Sequence, residues 1–403
     1  MWIGTLGREG AGGLSVLSWL DFSEAERQRA LELLDLLATK ESRDELGLGT
    51  IRDAFADAMF PGISTLQQRA RYFLFVPWLF REVERLYTGS TDVLERARQR
   101  ELRLIQSLID AGEVDGVIGS RSRAKLQQVP SIIYWQGLRR WGIRRVEGTR
   151  EQWARSVSQG AVAGVLDDDN QLIQYASWWH SSLPDPPERW PTEVSLALTR
   201  KEGEYLRDRV RQTCGQTLLA TLVERSRPWE PTDFPWELRL DDATAEQRRI
   251  VAFARRVSQT MHGTALLYNH MLAVATGSED LEEEYRNKLE AWAVTEAHED
   301  RSATPLPELW VLLDELGCNF TPKTRTFIEA WFQLTADPRE GCARDAAREL
   351  IRGREWDVKG PKARLVYDAA RETWRGAAGA QQLSYRWRSA QRQILDILEP
   401  RPG

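Results

Sequence analysis

ATAEQRRIVAFARRVSQTMHGTALLYNHMLAVAT, residues 243–276, is the longest periodic run in the chain. Its apolar residues recur at helical spacing, which predicts one long helix. Downstream, EDLEEEYRNKLEAWAVTEA, PELWVLLDELG, TRTFIEAWFQLT, CARDAARELIRGRE, KARLVYDAARETW and QLSYRWRSAQRQILDIL read as further helices. Upstream, RPWEPTDFPWE is loop-like and follows one or two helices between residues 195 and 225. Strand signals are scarce and no fixed-period repeat occurs, so the chain is expected to be mainly α.

The N-terminal half extends the pattern. Ser23 with Glu26 has capping-box spacing and opens a leucine-rich helix. A short helix is expected from about Ile51 to a stop at Pro61–Gly62. YFLFVPWLF is apolar all round, which predicts a buried element, with Pro77 kinking or splitting it. Another helix covers Thr91 to Ala111 and stops at Gly112. PSIIYWQGLRRWG places Pro130 in a first turn and Gly142 at a stop, and a short helix begins near Thr149. Residues 164–191 change character, with an acidic tip, paired tryptophans and four prolines. They read as an irregular excursion between halves of a multi-helical fold, in two helical domains or one composite domain. The expected division is 1–160, 161–240 and 241–403.

The bulk numbers bound the function. A hydrophobic content of 42% in 403 residues supports a real core, and the net charge of −5 argues against indiscriminate DNA coating. Three cysteines without a CxxC pair fit a reducing compartment. The N-terminus lacks an export signal and no stretch approaches a membrane span, so a cytoplasmic location without membrane contact is expected.

Against the acidic background, residues 121–145 hold seven Lys or Arg and no Asp or Glu. Arg121, Arg123 and Lys125 precede the helix; Arg139, Arg140, Arg144 and Arg145 close it. Ile132, Trp135 and Leu138 are expected to form a core stripe, leaving the cations for phosphate and Tyr134 or Trp141 for base stacking. The plainer reading buries the tryptophans and pairs the arginines with acidic helices. Arg69 and Arg71, ahead of the buried aromatic run, form a second basic group suited to phosphate or carboxylate forks. Arg386 and Arg388, alternating with Tyr385 and Trp387, form a third. Trp178 and Trp179 are candidate exposed anchors for a protein partner.

Signals for catalysis are weaker. The four histidines form no HExxH or HxH pair, although His262 and His270 fall on one side of the long helix. Asp167, Asp168 and Asp169 need ligands from elsewhere to hold a divalent ion. No P-loop, GxSxG or kinase signature is present. No cofactor or metal is expected.

Taken in order, DELGLGTIRDAFADAMFPG, STLQQRARYFLFVPWLF, GVIGSRSRAKLQQVPSIIYWQGLRRWGI, MHGTALLYNHMLA, ARLVYDAARETWRGAAG and LSYRWRSAQRQILDIL resemble the bacterial family of uncharacterised proteins DUF6361. Gln67–Gln68 stand before Arg69 where that pattern leads one to expect a Thr, so no hydroxyl role is carried to that position. The resemblance implies a bacterial intracellular protein similar to products of antiviral defence or DNA-modification islands, and supplies no catalytic residues. The expectation is a DNA- or RNA-binding accessory factor. The alternatives are a helical scaffold for a helicase or nuclease subunit of a defence complex, and a nuclease or nucleotide-processing enzyme with an unrecognised site.

Overall fold

The computed structural model describes residues 44–87, 92–120, 126, 128–159, 164–166, 172–175 and 177–401. The helix expected behind Ser23, the cations Arg121, Arg123 and Lys125, and the Asp167–Asp169 triplet lie outside the described residues. Among the described residues there are fifteen α-helices and one two-stranded antiparallel hairpin, so the protein is mainly α.

The long helix expected from the periodic run is α8, Ala245–Thr276, 32 residues and about 48 Å long at 1.5 Å per residue. Thr244 and Gln247 close a capping box at its start, and Gly277 ends it in the left-handed conformation. Helices α9 (Glu279–Ala297), α11 (Pro322–Leu334) and α13 (Asp345–Lys359) pack on it, together with α1 (Gly49–Met59). Gly263 lets α8 and α9 approach closely, because a Cβ there would lie 2.4 Å from the Trp292 ring. Helices α10 (Leu306–Glu315) and α12 (Pro338–Ala343) complete this half.

The other half is built on α2, Tyr72–Tyr87. Residues 71–80 are all buried, as the apolar stretch requires, and the helix runs unbroken through Pro77 rather than splitting there. Packing on several sides by α3 (Val93–Asp110), α4 (Pro130–Arg140) and α5 (Arg150–Ser158) overrides the local preference for a break. The helix expected near Thr149 starts there, and the structure adds a capping box between Thr149 and Gln152. A hairpin, β1 (Gly164–Leu166) with β2 (Leu172–Tyr175), occupies the segment read as irregular. Helices α6 (Arg200–Cys214) and α7 (Leu218–Val223) follow.

KARLVYDAARETW departs from the helical expectation. Only α14, Asp368–Arg371, is α-helical there. The segment is tied instead to Glu355, whose carboxylate accepts the backbone N–H groups of Arg364 at 2.9 Å and Leu365 at 2.8 Å. The last helix, α15 (Trp387–Leu398), packs on α6 and α7. Residues Asp44–Gly403 form one compact unit.

Candidate nucleic-acid interface

Helix α4 is held from both ends. At its start Glu101 accepts from Ser131 N at 2.6 Å and Ser131 Oγ at 3.0 Å, capping the helix from α3. Burial pushes the Glu101 carboxyl up to about 7, against the lowering effect of the Ser131 bonds, Arg150 and Arg98. At its end Trp141 stacks on Phe73 with centroids 3.9 Å apart and donates to the Pro61 carbonyl at 2.9 Å. Trp135 donates to the Gly148 carbonyl at 2.9 Å. The buried stripe is Tyr134, Trp135 and Leu138; Ile132 is 40% exposed, which corrects its expected place in the core. Tyr134 and Trp141 are fully buried, so neither ring is available to a base. The Tyr134 hydroxyl instead accepts from Gln68 N and Arg69 N and donates to the Arg69 carbonyl.

The cations separate into three kinds. Arg144 is buried and clamps the turn behind the helix, donating to the Val146 carbonyl at 2.5 Å and the Gly148 carbonyl at 3.0 Å. Its guanidinium lies 4.7 Å from the Trp135 ring centroid. Burial, with Arg139 nearby, lowers it to about 10, so it stays charged at neutral pH. Arg139 pairs with Glu147 at 2.8 Å. Arg140 and Arg145 are exposed and have no carboxylate partner among the described residues.

The other sequence candidates are structural. Arg69 binds Asp396 at 2.7 Å, and Arg71 binds Glu202 at 2.7 Å while donating to the Ser195 carbonyl. Both forks hold carboxylates of this chain and are removed from the phosphate set. Arg386 pairs with Asp53 and Asp57 between buried Tyr385 and Trp387, whereas Arg388 is exposed. Trp178 and Trp179 are buried, which overturns their role as exposed anchors. Their indoles donate to Ser156 Oγ at 3.1 Å and Glu84 at 2.9 Å, and Trp153 shares the same Glu84 oxygen. Exposed aromatic surface lies instead at Trp356 and Tyr367, rings 5.7 Å apart.

Sequence reading missed the neighbours of Arg145. Arg144 and Trp179 form an antiparallel bridge, flanked by Arg145 N to the Trp178 carbonyl and His180 N to the Ile143 carbonyl, each 2.8 Å. This pairing carries His180 to the basic segment. Helix α6 adds Arg209 and Thr213, with a Cβ at Gly142 reaching 2.9 Å from the Thr213 methyl. The exposed cations thus sit on a rigid frame beside α6.

A buried polar cluster lies elsewhere. Glu355 accepts from Tyr268 at 2.5 Å and Lys359 at 2.8 Å, and Arg364 reaches Glu45 at 3.0 Å. Lys359 also binds Glu45. Each acid meets a cation, so the cluster is a closed tie between α8, α13 and the segment before α1. His262 Nε2 contacts the Ala380 carbonyl at 3.1 Å. Among the described residues no group of three His, Cys, Asp or Glu is placed to hold a metal, and no helix is long and apolar enough to cross a membrane.

No curated protein and no solved structure matches the chain. A family model does: the one described as "Family of unknown function (DUF6361)" matches residues 14–399.

Proposed function

The chain belongs to the DUF6361 family, and on that premise we propose that it is a nucleic-acid-binding accessory factor of a bacterial antiviral defence or DNA-modification system. The observation that supports this reading most is the pair Arg140 and Arg145, exposed and without carboxylate partners beside a helix end fixed by Trp135, Trp141 and Arg144. The fixed backbone sets where these guanidiniums start, no carboxylate has to be displaced, and fork geometry suits phosphate oxygens. The interface is smaller than composition suggests, because Arg139, Arg144, Arg69 and Arg71 are already engaged. Phosphate contact of this kind carries affinity without base preference and weakens with salt. The test is binding of labelled single- and double-stranded DNA and RNA by the full chain, compared with Arg140→Glu plus Arg145→Glu. Absence of binding at low salt, or binding untouched by the reversal, refutes the reading.

A second reading, a docking scaffold for a helicase or nuclease subunit, has one supporting observation. Trp356, Val358, Val366 and Tyr367 are all exposed apolar residues around the Trp356–Tyr367 ring contact. Its test is a pull-down in which Trp356→Ser with Tyr367→Ser abolishes capture of a subunit that the arginine reversals leave bound.

A further inference from the structure

Two buried polar side chains on α6 are incompletely satisfied, Arg209 lacking a counter-charge and Tyr205 a hydrogen-bond partner. Arg209 is 5% exposed and forms no ion pair among the described residues; the adjacent Asp208 pairs with Arg211 at 2.6 Å. Its guanidinium donates to the Gln212 side chain, a neutral acceptor that leaves the charge uncompensated. Tyr205 is 9% exposed, and its hydroxyl is shielded from solvent without any hydrogen-bond partner. The Tyr205 ring lies 5.9 Å from the ring of half-buried His180. Burial, then Arg209, then Arg145, hold the His180 imidazole below its ordinary value. Arg209 likewise opposes the rise that burial imposes on the Tyr205 phenol. Geometry groups four donors: Tyr205 and Arg209 stand one turn apart on α6, His180 lies against Tyr205, and the Arg145 N–Trp178 and His180 N–Ile143 hydrogen bonds hold Arg145 and His180 on the same bridge.

An uncompensated buried guanidinium is costly, and an anion offsets that cost. Two guanidiniums without a carboxylate match a dianion. A terminal phosphate offers three unesterified oxygens, whereas an internal diester offers two and only one charge. We propose that Arg209, Tyr205, His180 and Arg145 form a receptor for a phosphate monoester, and that its ligand is the terminal phosphate of a nucleic-acid strand. The assignment of the strand rests on the function proposed above; the anion site does not.

Calorimetry of the full chain with inorganic phosphate tests the site, using Arg209→Gln and Tyr205→Phe. Tyr205→Phe removes only a hydroxyl without a partner, so its fold is preserved even if Arg209→Gln disturbs packing. The expected result is saturable phosphate binding, weakened at least tenfold by Arg209→Gln and several-fold by Tyr205→Phe. No binding to wild type, or binding equal in wild type and Tyr205→Phe, overturns the site. A second arm compares one oligonucleotide with and without a 5′-phosphate, and with and without a 3′-phosphate. Tighter binding of either phosphorylated form, lost in Arg209→Gln, supports the strand-end assignment. Phosphate binding without an end preference retains the site and overturns that assignment in favour of free phosphate. Failure of every oligonucleotide to bind, with phosphate still bound, refutes the nucleic-acid reading alone.

Discussion

Glu101 makes the stability of the chain depend on pH in a direction opposite to that of most carboxylates. The group is 1% exposed, and burial raises its folded value to about 7 from an ordinary 4.5. The folded state then binds more protons than the unfolded state between those two values. Stability contributed by the proton is fully present below 4.5, falls as pH rises through about 7, and is constant above. At 1.36 kcal/mol per pH unit the loss is about 3 kcal/mol. Urea unfolding of wild type and Glu101→Gln at pH 4.5, 6 and 8 isolates this group from other titrations. The glutamine keeps an acceptor for Ser131 N, so the variant is expected to approach wild type at pH 4.5 and exceed it by about 3 kcal/mol at pH 8. Parallel pH profiles for the two proteins refute the argument. A wild type that gains on the variant with rising pH shows that the helix end and Arg150 outweigh burial.

Two substitutions probe the frame. Gly263→Ala forces a methyl against the buried Trp292 ring at 2.4 Å and is expected to destabilise by about 1–2 kcal/mol in denaturant titration, despite alanine's better helix propensity. Glu355→Ala strips the acceptor from Tyr268, Lys359 and two backbone N–H groups; a loss of about 3–5 kcal/mol is expected, with faster amide exchange at Arg364 and Leu365.

What the sequence made legible is what local physics decides. Helix α8 followed from its period, the start of α5 was placed near Thr149, and the ends of α3 and α4 followed from Gly112 and Gly142, both at positive φ. The segment around Arg364 was illegible because a distant carboxylate, Glu355, decides its backbone bonding. The candidate interface was only partly legible for the same reason at larger scale. Counting cations exposed a basic segment, but their fates hang on acids such as Asp396, 327 residues from Arg69, and Glu202, 131 residues from Arg71. Trp141 and Trp179 looked alike in the sequence as candidates for recognition, and each spends its N–H inside the fold. His180 and Arg209 joined the site only through the Arg144–Trp179 bridge and the packing of α6, neither of which leaves a local pattern.

The central claim is that Arg140 and Arg145 contact phosphate. Its most direct measurement is the salt dependence of oligonucleotide binding, followed by fluorescence anisotropy at low and at physiological salt for wild type, Arg139→Glu and the double reversal of Arg140 and Arg145. The expected result is a slope of log affinity against log salt that becomes shallower by roughly 1.8 in the double reversal, at about 0.9 for each phosphate that is no longer neutralised. Arg139→Glu, whose native guanidinium already meets Glu147, is expected to shift it less. Equal slopes in wild type and the double reversal, or no binding at low salt, contradict the claim.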